Sequence, residues 1–203
     1  ADLTGADLTG ADLTNVSLST VDLTNTKLTG ADLTNANLFN VNLSGKDLTG
    51  TILVGADLTN TNLTGKDLTG KDLTGAKLRD MDLSGMDMTN TKLTGADLTG
   101  AGLTHVDIST VDFTGVKLRD MDLSGMDMTN TKLTGADLTN ANIPQTNFSN
   151  IDLTNAILDE LDLSGKTLHN SKFNFVSLKN TDLTGIDLSF SQVREVDFTK
   201  TKN

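Results

Sequence analysis

The sequence predicts an all-β solenoid, a four-sided (quadrilateral) parallel β-helix of about ten coils with four five-residue units per coil. Three observations carry this. An apolar residue recurs at every fifth position from Leu3 to Phe198, forty times in one unbroken frame, and is Leu in 31 of the 40. Within a unit, typified by Ala1-Asp2-Leu3-Thr4-Gly5, apolar and polar residues alternate over four positions and a turn former closes the fifth. Lysines that replace the usual aspartate are spaced so that four sides set them against aspartates, whereas three or five sides set them against each other.

A period of five fits neither the 3.6-residue helix nor an uninterrupted strand. The alternation puts the first and third (centre) residues on one side of the chain and the second and fourth on the other. The fifth residue is Gly in 17 units and Asn in 12, and both accept the positive φ of a tight corner. Each unit is therefore one short side and one corner, and the chain winds, each coil burying its apolar residues against the next. The number of sides follows from Lys27, Lys77, Lys92, Lys117, Lys132 and Lys172, all at second positions. Four sides place vertical neighbours twenty residues apart; of the twelve neighbours, eleven are Asp and one is Gln192. Three sides would stack Lys92 on Lys77, and five would stack Lys117 on Lys92. Opposite charges across a ladder stabilise and like charges do not.

Coils one and two (residues 1–40) keep close to the consensus, with Phe39 as a lone outward aromatic. Coils three and four place Lys46, Lys66 and Lys71 at the inward first position, together with Thr51 and Thr61. A buried, unpaired ammonium is costly. The stems can line the interior while the amines snorkel out between coils, or the lysines can form a polar internal pocket or anion site. The first account is favoured, because no acidic residue stands inside to pair with them. Lys166 occupies the same kind of position, and its role stays open.

Residues 77–99 recur unchanged at 117–139, an offset of two whole coils, so the copies stack in register. Met81, Met86, Met121 and Met126 then fill the core at inward positions. Lys77 with Arg79, and Lys117 with Arg119, are outward beside Asp80 and Asp120, where local ion pairing accounts for them. Pro144, followed by Gln145, lacks a ladder donor and predicts a locally altered side. From Ile157 the repeat decays: Ile157 and Thr167 replace the acidic residue, and Phe175 and Phe190 appear at corners. The chain is expected to be one domain over residues 1–203. Residues 161–203 would be degenerate coils serving as a cap or dimer contact, and Phe175 and Phe190 are the candidate association contacts. Bare coil ends also invite homodimers or end-to-end stacking.

The formal net charge of −11 argues against direct binding to nucleic acid or an anionic membrane and points to a basic protein partner. There is no Cys, so thiolate and disulfide chemistry is excluded. No apolar run is long enough to span a bilayer, and no signal peptide is read. The chain does not begin with Met, so a processed product or a fragment is open and a missing targeting segment decides little. His105 and His169 stand on different faces without a second ligand at metal spacing and are expected to be solvated. The aspartates share one uniform environment, whereas a catalytic pair needs two different ones. No catalytic, cofactor-binding or metal residue is assigned, no cofactor is expected, and the protein is not expected to be an enzyme. A straight, filled coil also predicts no cleft.

The unit Ala-Asp-Leu-Thr-Gly, in frame along the whole chain, resembles the pentapeptide-repeat family. The resemblance implies a right-handed coil with the first and centre residues inside. It also implies scaffold or interaction roles in bacterial proteins and effector domains, so bacterial cytoplasm and secretion are both open. Some family members, quinolone-resistance proteins among them, resemble acidic duplex DNA and bind gyrase. Ordered Thr could also serve ice or mineral binding, but each side shows one Thr beside an Asp, which ranks this last.

The faces are numbered by unit order within a coil. Faces three and four alternate Asp and Lys through the middle of the rod. Face two holds Asp47, Asp67, Asp87, Asp107 and Asp127 without interruption, with Lys27 before them and Asn147 after. This column is the candidate acidic interaction face. A non-enzymatic scaffold presenting it to a protein partner is the leading expectation, and a DNA-mimicking gyrase or topoisomerase binder is the alternative.

Overall fold

In the computed structural model, residues 2–143 and 149–203 are described. The side that Pro144 and Gln145 are expected to alter, and Asn147 on face two, lie outside the described residues.

Each unit ends in a turn closed by its successor. The amide of the next unit's first residue donates to the carbonyl of the preceding centre, as from Ala6 to Leu3 and from Ala31 to Leu28, both at 2.9 Å. The fifth residue takes positive φ, 59° at Asn15 and 68° at Gly75, as the third residue of a type II turn requires. Even His105 (62°), Phe175 (59°) and Phe190 (59°) conform, so the corner geometry is imposed by the coil and not by the local residue.

The turns wind the chain into a right-handed β-helix whose sides repeat every twenty residues. Parallel bridges join Asp57 to Lys77, Lys77 to Asp97, and Asp112 to Lys132. In a paired side, the second-position amide donates to the first-position carbonyl of the coil before, and the centre amide donates to the coil after: Lys77 to Ala56 at 2.9 Å, and Leu78 to Asp97 at 2.7 Å. The sides are so short that only two among the described residues extend into regular strands, β1 (Lys172–Asn174) and β2 (Gln192–Arg194), paired in parallel with Phe173 opposite Val193. At roughly 4.8 Å per coil, the rod is on the order of 45–50 Å long.

The core is a continuous stack of centres. Leu33, Leu53, Leu73 and Leu98 are fully buried, and Phe113 and Phe173 are the largest buried side chains. Each buried Leu contributes about 1.5–3 kcal/mol. Ala31, Ala56, Ala76 and Ala96 fill the inward first positions with no exposure. Inward threonines belong there because their hydroxyls find a carbonyl. Thr26 donates to Leu3, Thr61 to Leu38, and Thr91 to Leu68, all at 2.8 Å.

Pairing between coils is not uniform, which departs from the expectation that every side pairs like a strand. Face four is bridged at every step from Ser17 to Asp197. On face two, Asp47, Asp67, Asp87, Asp107 and Asp127 form no bridge, and their amides have no backbone acceptor. The inward neighbours explain the difference. Face two carries Lys46, Lys66, Met86, Val106 and Met126 at its first positions, where face four carries Ala36, Ala56, Ala76, Ala96 and Val116. The long unbranched chains among them need height between coils that Ala and Thr do not, and Val106 also leaves its step unbridged. Face one is unbridged below Val41, Met81, Met121 and Leu161, and face three below Lys71.

Candidate functional site

The five candidate aspartates lie in one exposed column on face two. Each anchors its own turn: the Asp Oδ1 accepts the amide two residues on, from Thr49 (2.9 Å), Thr69 (2.8 Å), Thr89 (2.9 Å), Ser109 (2.9 Å) and Thr129 (2.9 Å). Hydrogen bonds to the charged form favour it. The Thr49 and Thr69 side chains and amides hold Asp47 and Asp67 below the usual carboxylate range. The Thr89, Ser109 and Thr129 amides, followed by their hydroxyls, do the same for Asp87, Asp107 and Asp127. All five are ionised at neutral pH, and none has a Lys or Arg nitrogen in ion-pair contact among the described residues.

Faces three and four contrast with this. There the lysines bind the aspartate twenty residues earlier: Lys77 to Asp57 at 3.0 Å, Lys92 to Asp72 at 3.3 Å, Lys132 to Asp112 at 3.2 Å, and Lys172 to Asp152 at 2.9 Å. Lys117 reaches Asp97 in the same way at 3.3 Å. The arginines of the duplicated segments point the other way: Arg79 stands 4.0 Å from Asp97, and Arg119 donates to Asp137 at 2.5 Å. Through the middle of the rod the paired carboxylates thus stand on faces three and four and the aspartate column on face two.

Contrary to the expectation of no cleft, face two opens between coils three and four into a cavity of about 560 Å³. Lys46, Asp47, Thr49, Lys66, Asp67 and Lys71 line it. The lysine amines do not run out to solvent as the favoured account required; they stop on backbone carbonyls. Lys46 Nζ donates to Leu23 O and, at 3.2 Å, to Thr26 O. Lys66 Nζ donates to Lys46 O at 2.7 Å. Lys71 Nζ donates to Leu48 O, with Thr51 Oγ1 at 3.4 Å. All three are half-buried. Burial pushes the Lys71 amine below the usual lysine range, against the pull of Asp47 and Asp67. The inward lysines were legible in the sequence, but the opening they create was not, because it depends on the height of a side chain and not on its polarity.

The structure does not bring Phe175 and Phe190 together. They occupy different corners of successive coils. Phe175 lies 5.8 Å beneath the Arg194 guanidinium, and Phe190, 81% exposed, meets His169 edge to face at 5.0 Å. His169 is half-buried and shares a 3.0 Å hydrogen bond with Ser189 Oγ, so it is less solvated than expected; His105 is exposed. Met81 and Met121 are buried as core, whereas Met86 and Met126 are only partly covered.

A sequence profile described as pentapeptide repeats matches in 8 copies between residues 1 and 199. Among solved structures, HetL, a pentapeptide repeat protein involved in heterocyst differentiation regulation from the cyanobacterium Nostoc sp., is 25% identical, with 98% of this chain and 89% of that one covered and a TM-score of 0.42. Trypsin-treated QnrB1, a plasmid-mediated fluoroquinolone resistance protein, is 18% identical with 90% of each chain covered and a TM-score of 0.60, a likeness of fold. A pentapeptide repeat protein from the Arabidopsis thaliana thylakoid lumen is 30% identical over 59% of this chain and 69% of its own, with a TM-score of 0.34. No curated protein sequence matches.

Proposed function

Because the chain belongs to the pentapeptide-repeat family, we propose that it is a non-enzymatic interaction scaffold, a rod presenting the aspartate column of face two to a basic protein partner. One observation carries the reading. Asp47, Asp67, Asp87, Asp107 and Asp127 are exposed and ionised with no Lys or Arg in ion-pair contact among the described residues, while faces three and four pair theirs with lysine. Two unit charges at coil spacing repel by roughly 1 kcal/mol in water. A purely structural face would do better with the lysine alternation used next door. A complementary basic surface gains steering and register from such a column.

The test is the triple substitution Asp67→Asn, Asp87→Asn and Asp107→Asn. Asn preserves the local fold: at the same position on face one, Asn42 and Asn62 accept the amides of Ser44 and Thr64 at 3.0 Å. The variant should keep its thermal midpoint and lose binding to a basic target, weakening by about tenfold or more. Undiminished binding would sink the proposal.

A DNA-mimicking topoisomerase binder is the second reading. The regularly spaced negative column and the fold shared with QnrB1 support it. A gyrase supercoiling assay with the same two proteins separates the readings. Inhibition or protection by the wild-type chain, lost in the triple variant, identifies gyrase as the basic partner; no effect leaves the general scaffold. Ice or mineral binding is disfavoured because threonine hydroxyls are engaged by neighbouring aspartates, as at Thr9, Thr99 and Thr114, each at 2.6 Å.

A further inference from the structure

We propose that the seam between coils three and four on face two is a binding site for a small multivalent oxyanion of the phosphate type. This site shares Asp47 and Asp67 with the aspartate column but does not depend on the partner proposed for that column.

The open seam leaves backbone donors without acceptors. In a paired side, the amides of Leu48, Gly50 and Asp67 would donate to the neighbouring coil. Here none of the three has an acceptor among the described residues, and all three residues line the cavity. At the neighbouring steps of face two the far end of the side closes, with Gly30 donating to Thr49 at 2.8 Å and Gly70 to Thr89 at 2.9 Å. At Gly50 it does not, and the opening runs the length of the side into the cavity. Backbone donors that line an open seam without a protein acceptor are available to a ligand's oxygens in place of water.

Three ammonium groups join these amides. An ammonium carries three donors. Lys46 Nζ spends two on carbonyls, Lys66 Nζ one, and Lys71 Nζ one on Leu48 O with a long contact to Thr51 Oγ1. Each keeps a proton free to turn into the cavity. The carbonyls hold the amines in place without cancelling their charge. Asp47 and Asp67 supply negative charge at the mouth, on the outward second position, with one oxygen of each already bound to the Thr49 or Thr69 amide. They keep three clustered cations tolerable in the empty seam. They also set the ligand class: a monovalent halide gains too little against two carboxylates. A compact divalent oxyanion can accept from several ammonium and amide donors at once, and such charge-assisted bonds are the strong ones.

The sequence itself supplies the test variants. Met86 occupies the position of Lys66 one coil later on face two, and Thr51 and Thr91 flank Lys71 on face three. Lys66→Met and Lys71→Thr therefore install side chains that the same columns already accommodate. The experiment is a titration of the full isotope-labelled chain with inorganic phosphate, followed by amide chemical shifts, beside sodium chloride at matched ionic strength. The expected result is a saturable shift confined to Leu48, Gly50, Asp67 and their neighbours, absent with chloride, with affinity falling about tenfold in each single variant. Lys92→Met, on the compensated face, should leave the affinity unchanged. Chloride reproducing the shifts, shifts spread evenly over Lys27, Lys92 and Lys132, or unchanged affinity in the Lys66→Met, Lys71→Thr double variant would each overturn the site. The face-four amides report in the same spectra whether a variant is folded, and the chloride comparison decides the question in the wild-type chain alone.

Discussion

At the scale of single residues, inward lysine and inward threonine meet the same local need. Both reach the centre carbonyl twenty-three residues earlier: Thr26 to Leu3, Thr91 to Leu68, Lys46 to Leu23, and Lys71 to Leu48. That carbonyl already accepts its turn amide and has a second lone pair facing inward. Polarity at the first position is therefore satisfied locally, and the chains differ in the height they demand. The corners show a second departure from uniformity. Gly45 and Gly125 lack the positive φ of nearly every other corner, and a Cβ built on either meets nothing within 4 Å. Ala at these two sites costs no backbone strain and restricts the unfolded chain, so Gly45→Ala should stabilise the fold by about 0.4–1 kcal/mol. Gly75→Ala, at φ +68°, should destabilise it instead. Paired denaturant titrations check both signs.

At the scale of the side and its ladder, four-sidedness was legible because charge records vertical adjacency: a lysine tolerates an aspartate above and below and not another lysine. The pairing the lysines adopt is narrower than that, since Lys77, Lys92 and Lys132 each reach back to the earlier aspartate. What could not be read was the opening of face two. The sequence marks Lys46, Met86 and Met126 as inward, but whether an inward chain fits below its neighbour or lifts it depends on packing. Val116 and Ile151 sit beneath intact bridges, while Val106 does not. The aspartate column was visible as composition, yet its coincidence with the unbridged seam came only with three-dimensional placement. Amide hydrogen exchange should display the difference directly. The amides of Asp67, Asp87 and Asp107 should exchange much faster than those of Lys77, Asp97 and Lys117, which donate to Ala56, Ala76 and Ala96 at 2.9 Å. Equal protection on the two faces would contradict the split ladder.

At the scale of the whole molecule, the rod is a net polyanion whose carboxylates nonetheless favour folding. Asp7 is lowered to about 2 by the Thr9 side chain and by Lys27, and Asp182 to about 2 by Lys202 and Thr184, from an ordinary value of 3.8. A carboxylate lowered on folding contributes stability that is present above its unfolded value and lost as pH falls through its folded one. On face two, repulsion from Asp87 pushes Asp67 upward, yet its turn bonds still leave it lowered, so protonating the column loosens more than it relieves. The thermal midpoint should hold from neutrality to about pH 5 and fall between pH 3.8 and about 2; a rise on acidification would show that self-repulsion dominates. The uneven ladder has a mechanical consequence as well. Face four is tied at each coil by backbone bonds, while the opposite wall is joined through its middle chiefly by side chains. Such a beam resists stretching along one wall and yields along the other, so its bending stiffness has a direction. Flexing toward face four would fan the aspartates apart, and flexing away would crowd them. The spacing of the charges that the proposed partner would meet is then set by how the rod is bent, and a curved partner surface would be matched by compliance of the wall that carries the charge.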